Sequence, residues 1–490
     1  MGRLSCPGGA AIATLIKNAR LAGHSSPLDV RIERGLVAQI GRDAGGQSNI
    51  AAIDARGGAL LPGLHDHHIH LMAYAAACDS LHCGPPQVTS GEELAQLLSA
   101  QGELIHEAWL RGIGYHPSVA GDIDRHWLDR HIPDRPVRLQ HRGGRLWVLN
   151  SRALQLLAPE DDSPPPGLET LGGEYTGRLY EGDTWLRSRI SHQLPDIAGA
   201  SRRLAGYGVT GLTDTTPGNG PEEWQLFQGL QADGALLQRV RMMGAGALDE
   251  CRDSTLLTRG ELKVHLLESR LPDLDALIAQ IRSAHAQERG VAIHCVTRTE
   301  LVYALHCLEA AGVMPGDRIE HCSVCPPEQL QLVRELGLRV VTQPHFIHER
   351  GEQYLSDVEP EELTWLYRAR AFPNAGIPLA GGSDAPFGGA DPWKIMRAAV
   401  SRSTDSGTCM GPEETLSPEQ ALDLFLSPPA APGTGRVSIE VGARADLCLL
   451  HQPWEIARDS LSAELVRCTW RDGQLIHDAG EATTPARRGG

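Results

Sequence analysis

Eight short apolar runs constrain this 490-residue chain more than any other feature. They cover residues 64–70, 208–213, 239–243, 262–267, 291–296, 318–322, 339–343 and 378–383. Most neighbouring runs are separated by one helix-like segment. Residues 271–288 and 326–336 carry apolar side chains at helical spacing, and Pro326 suits a first helical turn. Alternating strands and helices of this number predict an α/β architecture, a parallel (β/α)8 TIM barrel.

The interval between 70 and 208 breaks that rhythm, because a strand–helix–strand unit takes roughly 30 residues. It has helices of its own near 92–105 and 122–129, strands near 137–140 and 145–149, and a Ser-Pro-Pro-Pro-Gly loop at 163–167. Residues 73–205 are therefore expected to form a subdomain inserted after the first barrel strand, over the mouth where substrates enter. Both ends of the chain are strand-rich. Runs at 13–16, 28–32 and 36–41 have counterparts at 435–439, 445–450 and 466–470, and Asp472-Gly473 marks a hairpin turn. We expect residues 1–60 and 431–480 to assemble one small composite β-sandwich around a 61–430 barrel. Residues 481–490 read as a flexible polar tail.

The totals narrow the classes of partner. A formal net charge of −16 argues against nucleic acid and against an anionic membrane surface. No run approaches the ~18 apolar residues of a membrane span, and the first 22 residues lack a signal-peptide pattern. Eleven scattered cysteines do not make a disulfide framework, so a reducing, cytoplasmic compartment is expected. Cys322-x-x-Cys325 has no second pair to complete a zinc ribbon and reads as two core or surface thiols.

Within the runs sit polar residues of metal-binding type. Alternate side chains of a strand share a face, so Asp66, His68 and His70 face one way, with His65 and His67 opposite. The spacing of His68 and His70 suits one ion. A His-x-His pair alone is weak among 21 histidines, but Lys263, His294, His321 and Asp384 each lie in or just after a later run. Active sites of barrels lie at the carboxyl ends of the strands. The small residues Gly381-Gly382-Ser383 before Asp384 would let backbone and metal approach closely, and an early position in its strand would give Lys263 room to climb to the mouth.

Taken together these motifs resemble the amidohydrolase superfamily, in the family 3 branch of formamide deformylase-like hydrolases. The resemblance rests on Pro62-Gly63-x-x-Asp66-x-His68-x-His70, Arg318-Ile319-Glu320-His321, Gln343-Pro344, Gly382-Ser383-Asp384-Ala385-Pro386 and Val441-Gly442-Ala443-x-Ala445-Asp446-Leu447. Leu262-Lys263-Val264-His265 is similar to the segment of urease that carries a carboxylated lysine. The resemblance implies a divalent cofactor, zinc being the expected ion, with one or two ions per subunit. His68, His70 and Asp384 would hold one ion, His294 and His321 a second, with carboxylated Lys263 as the bridge. It also implies hydrolysis of a C–N amide bond of a small N-acyl or N-formyl substrate. Asp384 would be the general acid/base and His345 a donor to the oxyanion. A homodimer is the expected assembly.

The chain departs from the branch pattern at Leu267-Glu268, Thr297-Arg298 and Gly144-Arg145. Two departures introduce arginine, so Arg145 and Arg298 are expected to grip a substrate carboxylate, with Arg142 and Arg178 as weaker candidates. Gln343, Trp147 and Tyr115 are expected to line the pocket, as is Phe346. A cyclic amide or lactone hydrolase and an aminated-ring deaminase are the alternatives on the same site. Glu300, six residues past His294, is loosely placed for the acid that a deaminase needs. A non-catalytic binding protein is the alternative from another class.

Overall fold

The structure is a computed structural model and describes residues 13–44, 50–85, 87–102, 109–157, 164–190 and 194–480. The proline-rich loop expected at 163–167 lies partly outside these, and the tail at 481–490 wholly so. All eight runs are strands of one parallel sheet. They are β1 (Leu64–Ile69), β2 (Val209–Asp214), β3 (Arg239–Gly244), β4 (Leu257–His265), β5 (Val291–Cys295), β6 (Arg318–His321), β7 (Arg339–Thr342) and β8 (Leu379–Gly381). Strands buried on both faces read as unbroken apolar runs, which is why the sequence shows them clearly.

Neighbours pair in sequence order from β1 to β8. The last seam, β8 against β1, has no ladder and closes by single bonds. Asp384 N–H donates to the His68 carbonyl at 2.7 Å, and His70 N–H to the Ala385 carbonyl at 3.0 Å. The Asp66 carboxylate accepts from the backbone N–H of Ser383 at 3.0 Å and of His68 at 3.1 Å. Gly382 belongs to the same seam. A Cβ there would lie 2.4 Å from the Cβ of His68, so the small residues admit the β1 backbone rather than a metal.

β4 corrects an expectation. It begins at Leu257, and Leu257, Thr258 and Arg259 pair with Val240, Arg241 and Met242 of β3. Lys263 therefore sits near the carboxyl end of its strand, not early in it. The polar Thr258-Arg259-Gly260 stretch hid the first half from any hydrophobicity argument.

The structure divides into two compact units, one formed by the chain up to Leu71 and from Ala198 onward, the other by Met72–Ile197. In the first, strands Thr14–Ala19, Leu28–Glu33, Leu36–Gly41 and Ala51–Asp54 form a four-stranded sheet. Leu60–Pro62 joins Leu447–Leu450, Val466–Arg471 and Gln474–Asp478 in another. The sheets share a core that includes Ile16, Val30, Ile32, Leu447, Leu449 and Trp470. The strand expected at 435–439 is absent. Gly435 has φ +71°, and the segment is mostly exposed, with no sheet edge as partner. Pro326 caps the helix Pro327–Glu335 rather than entering its first turn. The second unit is a six-stranded mixed sheet with its own apolar clusters, one around Leu94, Leu128 and Val137, another around Trp147, Leu154 and Leu179. Among the described residues no helix is long and apolar enough to cross a membrane. Cys322 and Cys325 are buried free thiols.

Asp66→Ala should leave two buried backbone donors unpaired at the seam, costing about 2–4 kcal/mol. Measured on metal-stripped protein, the thermal midpoint should fall; an unchanged midpoint would show that the barrel closes without this carboxylate.

Candidate metal centre

β1 ends with two imidazoles on its inner face, and β8 ends with Asp384 opposite them. The Nε2 atoms of His68 and His70 lie 3.4 and 3.3 Å from the same oxygen, Oδ1 of Asp384. Two donors each about 2.1 Å from a tetrahedral ion are about 3.4 Å apart, so the spacing is that of ligands around one cation. His65 and His67 point the other way, to Thr213 at 2.9 Å and Ser427 at 3.0 Å.

Each inward imidazole is held through its other nitrogen. His68 Nδ1 meets the buried carboxylate of Glu320, whose second oxygen accepts from Arg318 Nε. His70 Nδ1 lies 3.1 Å from the Thr216 hydroxyl. His321 Nδ1 lies 2.7 Å from Gln343 Oε1. An N–H donated from Nδ1 leaves Nε2 as the lone pair that a metal needs, so these contacts fix tautomer and direction together.

The His321 ring lies tilted 4.7 Å from His68 and edge-on to His294 at 4.5 Å, and His294 is edge-on to His265 at 4.4 Å. Register sets this row, since His265 pairs with His294 and Cys295 with His321. His321 and Asp384 both have positive φ, +68° and +51°, which turns each side chain off its strand direction. Lys263 is buried, and its Nζ has no hydrogen-bond partner. His68 Nε2 and Gln343 Nε2 are also buried without partners. Orphaned polar atoms are rare in folded proteins, and this group of them fits an ion and its water.

The electrostatics agree. Burial lowers the Lys263 pKa, favouring the neutral amine. Burial pushes His321 down to about 3 and His294 well below its ordinary value, so both are neutral and free to ligate. Burial opposes ionisation of Asp384, yet the adjoining His68 and His70 imidazoles hold its carboxyl well below the usual range. Burial and Lys263 press His68 toward neutrality, but Glu320 and Asp384 outweigh them and raise its pKa.

Other expected site residues lie differently. His345 Nε2 is 3.1 Å from the Ser383 carbonyl, which only accepts, so Nε2 carries the proton. Burial lowers its pKa, and a neutral imidazole then has no second donor for an oxyanion. The amide N–H2 of Gln343, by contrast, is a buried donor without a partner. Arg145 is ion-paired with Glu181 at 2.6 Å. Trp147 donates to Asp183 at 3.1 Å, and the Tyr115 hydroxyl donates to the Gly121 carbonyl at 2.5 Å; both rings are buried in the apolar clusters of the second unit. Arg298 is exposed, 5.8 Å over Trp365. Arg178 holds the Ile123 and Asp122 carbonyls. Glu300 accepts from the backbone N–H of Val296, Thr297 and Glu268, which fully occupies it as a helix cap. Sequence reasoning passed over Glu320 and Thr216. A Glu two residues after an Arg inside an apolar strand was the available signal for the first.

Comparison with known proteins follows the same lines. The Amidohydrolase family model matches residues 51–477. An N-substituted formamide deformylase of Arthrobacter pascens is 26% identical over 93% of this chain and 96% of its own. The crystal structure of an uncharacterized metal-dependent hydrolase from Pyrococcus horikoshii OT3 superposes with a TM-score of 0.73 at 20% identity, covering 95% of this chain and 100% of that one. Its counterpart from Pyrococcus furiosus gives 0.69 at 22% identity over 90% and 99%. These two likenesses show the fold.

Glu320→Gln should free His68 and leave Arg318 buried without a counter-charge. Metal affinity, read by chelator competition, should fall roughly 10–100-fold, and stability by about 3–5 kcal/mol. Unaltered affinity would remove Glu320 from the control of His68.

Proposed function

The chain belongs to the amidohydrolase family and is a metal-dependent hydrolase of C–N bonds, and we propose that it cleaves the amide of a small N-acyl or N-formyl compound. The proposed centre is His68, His70, Lys263, His294, His321 and Asp384. The observation that carries it is the convergence of His68, His70 and Asp384 at ligand spacing. Similarity to an N-substituted formamide deformylase supports the choice of acyl group.

Imidazole and carboxylate donors suit zinc, the proposed ion. When bound, a divalent ion acidifies water and polarises a carbonyl oxygen. Asp384 takes the proton of the attacking water and delivers it to the departing nitrogen. A C–O bond forms as the C–N bond breaks, leaving a carboxylic acid and an amine. Gln343 Nε2 donates to the carbonyl oxygen as it gains charge. Burial lowers the pKa of the Lys263 amine, and once deprotonated it would be suited to attack carbon dioxide, forming an N–C bond and releasing a proton. A carbamate there would supply anionic oxygens, where an ammonium offers only donors, and with His294 and His321 it would be able to hold a second ion. The use of Glu300 as a cap favours amide hydrolysis over ring deamination.

Zinc-reconstituted protein should release amine from N-formyl or N-acyl amines faster than from cyclic amides or aminated rings; the reverse order would replace this reading. Asp384→Asn should lower kcat by roughly 10²–10⁴-fold, and unimpaired turnover would remove its role. Lys263→Ala should contain less metal per chain, partly restored by acetate or propionate. Full occupancy without rescue would count against the bridge.

A further inference from the structure

Arg350 is a cation among the described residues of the barrel unit whose surroundings the fold alone does not explain. It lies one turn into the helix Phe346–Asp357, which follows β7 after Gln343-Pro344-His345. Its guanidinium sits 3.8 Å over the ring of Phe346, four residues earlier, and donates to the Phe387 carbonyl. Phe387 follows Asp384 by three residues, and its ring is edge-on to His70 at 5.5 Å. One residue therefore separates this cation from a proposed metal ligand, and the Asp384 carboxylate contributes to the field on it.

Arg350 is half-buried, and other buried or half-buried arginines of this unit are compensated. Arg318 pairs with Glu320, Arg241 with Glu261, and Arg289 with Asp249. Arg402 has no carboxylate but donates to the carbonyls of Met410, Tyr367 and Leu366. For Arg350, no carboxylate among the described residues lies within ion-pair distance. Its neighbour Glu349 accepts from the Gly389 N–H at 3.0 Å, and the nearby Tyr354 and Tyr367 hydroxyls bond each other at 3.3 Å. A guanidinium has five N–H donors in a planar fork, and a single carbonyl engages a small part of it. Packing against Phe346 and the Phe387 carbonyl holds that fork in one orientation, as a bidentate acceptor requires.

We propose that Arg350 binds a carboxylate of the substrate, so that the substrates are N-acyl or N-formyl amino acids rather than neutral amides. This rests on the amide-hydrolase reading above and assigns to Arg350 the role expected of Arg145 and Arg298. The alternative is that Arg350 only staples the segment after β8.

The test compares N-formyl amino acids with the N-formyl amines that lack only the carboxylate, using zinc-loaded enzyme. Wild type should prefer the acids in kcat/KM, and Arg350→Gln should reduce that acid-to-amine ratio roughly 10–100-fold, mainly through KM. Arg350→Lys should recover part of it. Equal loss on both substrates would identify a staple, and an absent preference in wild type would overturn the proposal while leaving amide hydrolysis intact. If neither series is cleaved, the hydrolytic reading fails separately, and calorimetric binding of the free amino acids decides. Binding that Arg350→Gln abolishes supports the site, and no binding overturns it.

Discussion

The buried carboxylate of Glu320 is the charge around which the strand ends are arranged. It is fully buried and lies between Arg318 Nε on its own strand and His68 Nδ1 on β1. Burial opposes its ionisation, but Arg318, Lys263 and His68 together hold its carboxyl well below the ordinary range. A buried charge cluster of this kind is poor evidence for stability, because well-packed apolar side chains often do as well. Its effect is on direction: with Nδ1 engaged, His68 presents Nε2 to the mouth, and Arg318 is neutralised before any ion arrives. Asp384 then stands as an anionic side chain beside the two histidines, a donor set that suits a dication.

Closure of the barrel and assembly of the site are one event. The β8–β1 seam is made by Asp66, the His68 carbonyl, the His70 N–H and the Asp384 N–H, so three of its four contributors are neighbours of, or are, the converging ligands. The positive φ of Asp384 follows from this, because a residue whose N–H is committed to β1 must turn its side chain back over the same strand. Asp66, which the alternation of the strand places with the histidines, is occupied by two backbone donors and does not join them.

The eight runs were legible because doubly buried parallel strands leave an apolar signature, and the ligands because each interrupts such a run with a polar residue. What the sequence hid was register. Glu320 reaches His68 across 252 positions, and Gln343 reaches His321 only because β6 and β7 are adjacent. No local pattern encodes either contact. The amino half of β4 was lost for a different reason, since Thr258-Arg259 breaks the apolar run while still pairing with β3. Arg145 and Arg298 were chosen as departures from a family pattern. Such departures mark where a chain differs, not where a side chain ends.

The geometry also orders charge along the site. A chain of contacts runs from Arg318 to Glu320, to the His68 imidazole, to the space shared by His68, His70 and Asp384, and through Phe387 to Arg350. Signs alternate along this line once a dication fills the shared space. A substrate whose amide lay beside the converging ligands would have Arg350 one residue away, behind Phe387. There a positive guanidinium is fixed against Phe346, with no carboxylate among the described residues to neutralise it. A substrate carboxylate would complete the alternation, whereas a neutral substituent would leave the last cation partly desolvated and unpaired, at a cost the rest of the barrel avoids by pairing or saturating its buried arginines.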